Sequence, residues 1–98
     1  MREALQHAAA EFFNIESNKT SLMTVTDVAL SDRNKRATIF FTVLPIEKEK
    51  AALDFAKRMR GEFRQFITKH VRLGRLPLID FALDLGEKNR QKIDSLLY

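Results

Sequence analysis

Two β-rich runs on either side of five polar residues constrain the fold of this chain more than any other feature. From Leu22 to Leu30 the sequence is dense in Val, Thr and Leu, residue types that suit a pleated, half-buried surface. Ser31-Asp32-Arg33-Asn34-Lys35 supplies a polar turn, and Arg36 to Leu44 forms the second run. Alternation puts Ala37, Ile39, Phe41 and Val43 on one face of that run, with Thr38, Phe40 and Thr42 on the other. The short connection predicts an antiparallel hairpin, closed by a bulged turn or a longer loop.

Helical spacing flanks the hairpin. Over residues 3–14, Ala4, Leu5, Ala8, Ala9, Phe12 and Phe13 recur on one stripe, and the polar stretch from Asn14 to Ser21 ends it. Pro45 closes the second strand and opens a long helical segment. There Ala52, Phe55, Ala56, Met59, Phe63, Phe66, Ile67 and His70 fall within about 120° of arc at 3.6 residues per turn. Gly61 lies nearly opposite the centre of that stripe, with Lys57 and Arg64 on one side and Arg58 and Arg72 on the other. An interior glycine costs a helix about 1 kcal/mol against alanine, so a break is expected here. Gly74 ends the segment. Pro77 opens a third strand with Ile79, Phe81, Leu83 and Leu85 on one face, and Ile93, Leu96 and Leu97 suit a short final helix within 86–98.

A helical crossover makes the second and third strands parallel neighbours, and right-handed by the usual rule. The expectation is an α+β sandwich: one domain over 1–98, with a three-stranded mixed sheet in order 1-2-3 and helices on one face. This order matches the type II KH topology, although periodicity alone permits other small α/β sandwiches.

The 98 residues are 45% apolar and 31% charged, which suits a packed core and argues against wholesale disorder. The absence of cysteine excludes disulfides, thiolate metal sites and cysteine nucleophiles. No apolar run approaches the roughly 18–20 residues of a membrane span, and no signal-peptide pattern opens the sequence, so a soluble cytoplasmic protein is expected. Net charge is +4, but residues 57–75 alone carry +6, from seven basic residues against Glu62. The segments before and after each carry −1. One concentrated basic element on a near-neutral body points to a localised polyanion contact.

Catalytic signatures are weak. His7 and His70 fall near helical stripes, where a solitary histidine is ordinarily a core-edge residue, and Ser17, Ser21, Ser31 and Ser95 lie outside any nucleophile-elbow context. Asp80 and Asp84 share a strand face and suit a solvated surface better than a metal pair. The three glycines are too far apart for a phosphate loop. Phe40 and the Phe12–Phe13 pair are candidate base-stacking platforms, with core packing the commoner fate of such residues.

The basic helix is the better candidate. Cations commonly solvate the outer face of an amphipathic helix, but here only Glu62 is available to relieve them through i,i+4 pairing. A glycine between cationic side chains lets backbone approach a phosphate, and a helix break there creates a new N-terminus that attracts anions.

These residues resemble a known family. Thr24-Val25-Thr26-Asp27-Val28-Ala29-Leu30-Ser31-Asp32, Ala37 and Val43-Leu44 resemble the opening hairpin of bacterial ribosome-binding factor A. Gly61-Glu62-Phe63-Arg64 resembles its glycine-apolar-apolar-arginine turn. Arg72-Leu73, Pro77, Phe81, Asp84, Ile93 and Leu96-Leu97 resemble its carboxy-terminal signature. The order and spacing of these pieces, from about residue 4 to residue 97, carry the likeness.

The resemblance implies a type II KH-like fold in which a helix kink replaces the glycine-rich loop, here at Arg60-Gly61 of the Met59-Arg60-Gly61 triplet. It implies a non-enzymatic assembly factor for the small (30S) ribosomal subunit. Such factors support late maturation and 5′-end processing of 16S rRNA, above all in the cold. Met59, Glu62, Gly74 and Leu78 depart from residues common in that family, and the first expected helix starts close to residue 1, without the basic amino-terminal lead that the resemblance would imply. The expected RNA-binding set is Lys57, Arg58, Arg60, Gly61, Arg64, Lys69, Arg72 and Arg75, in a cytoplasmic monomer without cofactor or metal. The alternatives are a KH-like module for another RNA and a protein-interaction domain using the sheet edge or first helix.

Overall fold

The computed structural model describes residues 1–16, 21–71 and 74–85. The elements are α1 (Arg2–Glu16), β1 (Leu22–Ser31), β2 (Arg36–Leu44), a 3-10 turn (Ile46–Lys48), α2 (Glu49–Arg58), α3 (Arg60–His70) and β3 (Leu78–Leu83). The final helix expected within 86–98 lies outside the described residues.

The sheet runs β1-β2-β3. β1 and β2 pair antiparallel from Leu22↔Leu44 to Ser31↔Arg36, and β2 and β3 pair parallel from Arg36↔Leu78 to Phe41↔Leu83. The predicted mixed sheet is therefore present. One detail breaks the alternation. The register shifts between Val25 and Asp27, leaving Thr26 as the extra residue of a β-bulge. Inward-facing positions move from Met23 and Val25 to Val28 and Leu30, so both halves of β1 reach the same core.

The hairpin closes through residues 32–35, with the Lys35 N–H donating to the Asp32 carbonyl at 3.0 Å. Asp32, Arg33 and Asn34 have φ of 53°, 54° and 66°. Positive φ at both central residues is the sense that follows the right-handed twist of the flanking strands.

The core gathers the apolar stripes of the helices and the inner face of the sheet. Leu5, Ala8, Ala9, Phe12 and Phe13 of α1 meet Ala37, Ile39, Phe41 and Val43 of β2, with Ala52, Ala56, Phe63, Ile67, Ile79 and Phe81. Phe13 sits between Phe41 and Phe81 with ring centroids 5.4 and 5.2 Å away, and Phe12 meets Phe63 and Phe66 at 5.2 and 5.5 Å. At 2% and 1% exposure, Phe12 and Phe13 are core residues and offer no stacking surface. Phe40 is half-buried. His70, at the end of the predicted stripe, is exposed and stacks on Phe66 at 4.3 Å.

Leu85 departs from expectation. The parallel ladder ends at Phe41↔Leu83, and the Asp84 N–H makes one further bond to the Phe41 carbonyl at 2.7 Å. Beyond that bond the chain leaves the sheet, and Leu85 is 43% exposed rather than packed with Ile79 and Phe81.

Both edge strands carry an aspartate in the same role. Asp27 of β1 accepts the Val28 N–H at 2.8 Å and the Arg2 guanidinium at 2.7 Å. That hydrogen bond, then the charge of Asp27, raises the pKa of Arg2. Asp80 of β3 accepts the Phe81 N–H at 2.9 Å and faces cations from the helices. Each aspartate occupies a backbone donor on an edge strand and ties the helical layer to the sheet. Occupied, charged edges also resist pairing with another chain.

Candidate nucleic-acid interface

The helix break falls at Met59, with φ −89° and ψ 5°, and not at the expected Arg60-Gly61, which are the first two residues of α3. Its N–H is shared between the Phe55 and Ala56 carbonyls, both at 3.1 Å, and its carbonyl accepts the Phe63 N–H at 2.9 Å. Thus α2 ends and α3 begins on one residue. Arg60 Nε donates to the Lys57 carbonyl at 3.0 Å, closing the C-terminal end of α2 from within the first turn of α3. Gly61 is exposed, and a Cβ built there would have no neighbour within 4 Å. Packing does not require glycine at this position. Its effect is to keep the outer surface of the break bare.

The basic side chains divide into the two flanks that helical spacing gives them. Lys57, Arg60 and Arg64 turn toward β3. Lys57 Nζ lies 3.6 Å and an Arg60 terminal nitrogen 3.3 Å from the same Asp80 oxygen. With side chains 44% to 48% exposed, these pairs sit in solvent and each contributes at most about 1 kcal/mol. Arg64 donates to the Pro77 carbonyl at 2.8 Å in a half-buried setting, linking α3 to the residue before β3. The predicted cations on this flank therefore also hold helices to the sheet.

On the other flank, Arg58 borders a depression with Ser21, Met23, Lys48 and Phe55. Lys69 borders another with Phe12, Glu16, Glu62 and Phe66. Arg75 is exposed in the loop before β3, and Arg72 lies outside the described residues. Glu62 stands in the first turn of α3, an acid at the end of the helix that favours anions. Asp84 accepts the Thr26 hydroxyl at 2.5 Å across the sheet, so Asp84 is engaged with β1 while Asp80 is engaged with the helices. Among the described residues, no group of three His, Cys, Asp or Glu side chains could hold a metal ion. Nor is any described helix long and apolar enough to cross a membrane.

Two cations that charge counting along the chain did not single out, Arg33 and Lys35, come beside Arg75 through the fold. All three line one cavity at the end of the sheet. The sequence signal was faint because the hairpin turn lies in a stretch of slightly negative net charge.

A model of the ribosome-binding factor A family matches residues 1–97. The chain belongs to this family. Ribosome-binding factor A of Thermodesulfovibrio yellowstonii is 30% identical over 99 residues, covering 99% of this chain and 84% of the relative. The Thermobifida fusca ribosome-binding factor A is 29% identical, covering 99% of this chain and 66% of the relative. The crystal structure of ribosome-binding factor A from Thermus thermophilus superposes with a TM-score of 0.74 at 24% identity, over 84% of this chain and 89% of that one. That likeness is one of fold. A Thermotoga maritima protein solved by solution NMR gives a TM-score of 0.60 at 28% identity, over 83% and 76% of the two chains. Both ribosome-binding factor A structures thus share the overall fold of this chain.

Proposed function

We propose that this chain is a ribosome assembly factor that binds the small ribosomal subunit through its 16S rRNA. In this reading it supports late maturation and 5′-end processing, above all in the cold, as a cytoplasmic monomer acting without catalysis. The observation that carries the proposal is the row of Lys57, Arg60 and Arg64 along β3, beside the bare surface of Gly61, in a member of a ribosome-binding factor family.

Lys57, Arg58, Arg60, Arg64, Lys69, Arg72 and Arg75 would meet phosphates, and Gly61 would let the RNA backbone come close to the break. Phosphate contacts position a protein without reading sequence, so specificity would come from the shape of the immature subunit. Four to six such contacts give a log-affinity slope of about −3 to −5 against log salt.

The test is co-sedimentation with ribosomal subunits and their precursors at low and moderate salt. Salt-sensitive enrichment on the small-subunit fraction supports the reading, and absence from ribosomal particles at both salts overturns it. Equally tight binding to short isolated RNAs would favour a KH-like module for another RNA. Salt-insensitive binding to a protein alone would favour an interaction domain. Arg58→Glu with Arg75→Glu is the informative variant, because Arg60 and Arg64 also bond within the fold.

A further inference from the structure

The turn between β1 and β2 and the loop before β3 meet at one end of the sheet. The Lys35 carbonyl accepts the Leu78 N–H at 2.8 Å, and Arg36 stands opposite Leu78 in register. The cavity between them is lined by Arg33, Asn34, Lys35, Arg75, Leu76 and Leu78. Arg33, Lys35 and Arg75 are exposed, and none makes an ion pair or side-chain hydrogen bond among the described residues. Asp32 is the one carboxylate of the turn, and it pairs with none of them.

Arg33 occupies this turn against its conformational preference. At φ 54° it lies in the left-handed region, where glycine and asparagine are at ease and a long side chain is an outlier. Turn chemistry alone would place glycine or asparagine there. A site that accepts strain to present a charge suggests that the charge is used.

The cluster also lies at the start of β3, the strand that the basic row faces. Asp80, which faces Lys57 and Arg60, lies five positions along the chain from Arg75, at most about 18 Å away. An RNA segment following β3 would reach both, since a duplex backbone carries a charge every ~1.7 Å of axis.

We propose that Arg33 and Lys35, with Arg75, form a second phosphate-binding cluster, engaging ribosomal RNA beyond the contacts made at the α2–α3 break. This rests on the rRNA-binding reading above. The experiment measures binding of the full chain to purified small ribosomal subunits over a salt series, for wild type, Arg33→Gln/Lys35→Gln, Arg33→Lys/Lys35→Arg and Arg33→Gly. The neutral double variant is expected to bind at least tenfold more weakly at low salt, with the slope shallower by about 1.5. The charge-preserving pair is expected to bind as wild type does. Arg33→Gly is expected to unfold at a higher temperature while binding less tightly, a divergence that a purely structural role would not produce. If wild type shows the steep slope and the neutral variant matches it in affinity and slope, the turn cluster is refuted and the rRNA reading stands. If wild type itself fails to bind subunits, the rRNA reading fails and the cluster falls with it.

Discussion

Arg60 reaches from the first turn of α3 to within 3.3 Å of Asp80 on β3, an edge strand of the sheet. The same carboxylate oxygen faces Lys57 at 3.6 Å and accepts the Phe81 N–H at 2.9 Å. Asp80 thus restrains two of the cations proposed to meet RNA, and in the free protein it neutralises part of their charge. On the proposed reading, rRNA phosphate would compete with Asp80 for Lys57 and Arg60.

Removing the competitor should strengthen binding. Asp80→Asn keeps an acceptor for the Phe81 N–H but gives up both ion pairs. Because those two pairs are half-exposed, urea unfolding should show a loss of no more than about 2 kcal/mol. Affinity for small ribosomal subunits should rise. A variant that binds more weakly than wild type while remaining folded would show that Asp80 positions the cations rather than withholding them.

Arg64 is expected to behave differently. Its 2.8 Å bond to the Pro77 carbonyl is half-buried, and a hydrogen bond to a charged group contributes roughly 1.5–3 kcal/mol. Arg64→Ala should therefore lower unfolding stability by about that amount, measured by denaturant titration. An unchanged midpoint would remove Arg64 from the structural account.

Gly61 separates stability from function. Space is open around it and the position is helical, so Gly61→Ala should stabilise α3 by about 1 kcal/mol. For a domain of this size that raises the melting temperature by about 4–8 °C. The added methyl stands on the bare surface of the break, so affinity for subunits should fall as stability rises. A variant both more stable and equally tight in binding would show that no phosphate approaches the backbone there.

The hairpin, the crossover and the inner face of β2 were legible in the sequence because period-two alternation in Ala37, Ile39, Phe41 and Val43 is set by burial on one face alone. Gly61 marked the break between α2 and α3 only to within two residues, because Met59 carries the non-helical backbone and Gly61 is already part of α3. The bulge at Thr26 was not, since one inserted residue in a Val- and Thr-rich run leaves its composition unchanged. Asp80 read as a solvated surface acid, because its work depends on helices that approach the edge strand from far along the chain. For the same reason both flanks of the basic helix looked alike. Spacing along a helix shows which cations are neighbours, but not that Lys57, Arg60 and Arg64 turn toward a strand. Nor does it show that Arg33 and Lys35 arrive beside Arg75.

The phenylalanine cluster carries much of the stability that holds these surfaces in place. Phe81 is fully buried, with Phe13, Phe41 and Phe63 at 5.2, 6.4 and 5.4 Å. Phe81→Ala should cost about 3–5 kcal/mol, a large share of the 5–15 kcal/mol typical of a domain. Thermal unfolding checks this, and a loss under 1 kcal/mol would contradict the assigned core.

The salt dependence of binding to purified small ribosomal subunits tests the central claim most directly. If the basic residues of α2, α3 and the loop before β3 meet rRNA phosphates, log affinity falls against log salt with a slope of about −3 to −5. Binding whose affinity does not change with salt would contradict the claim.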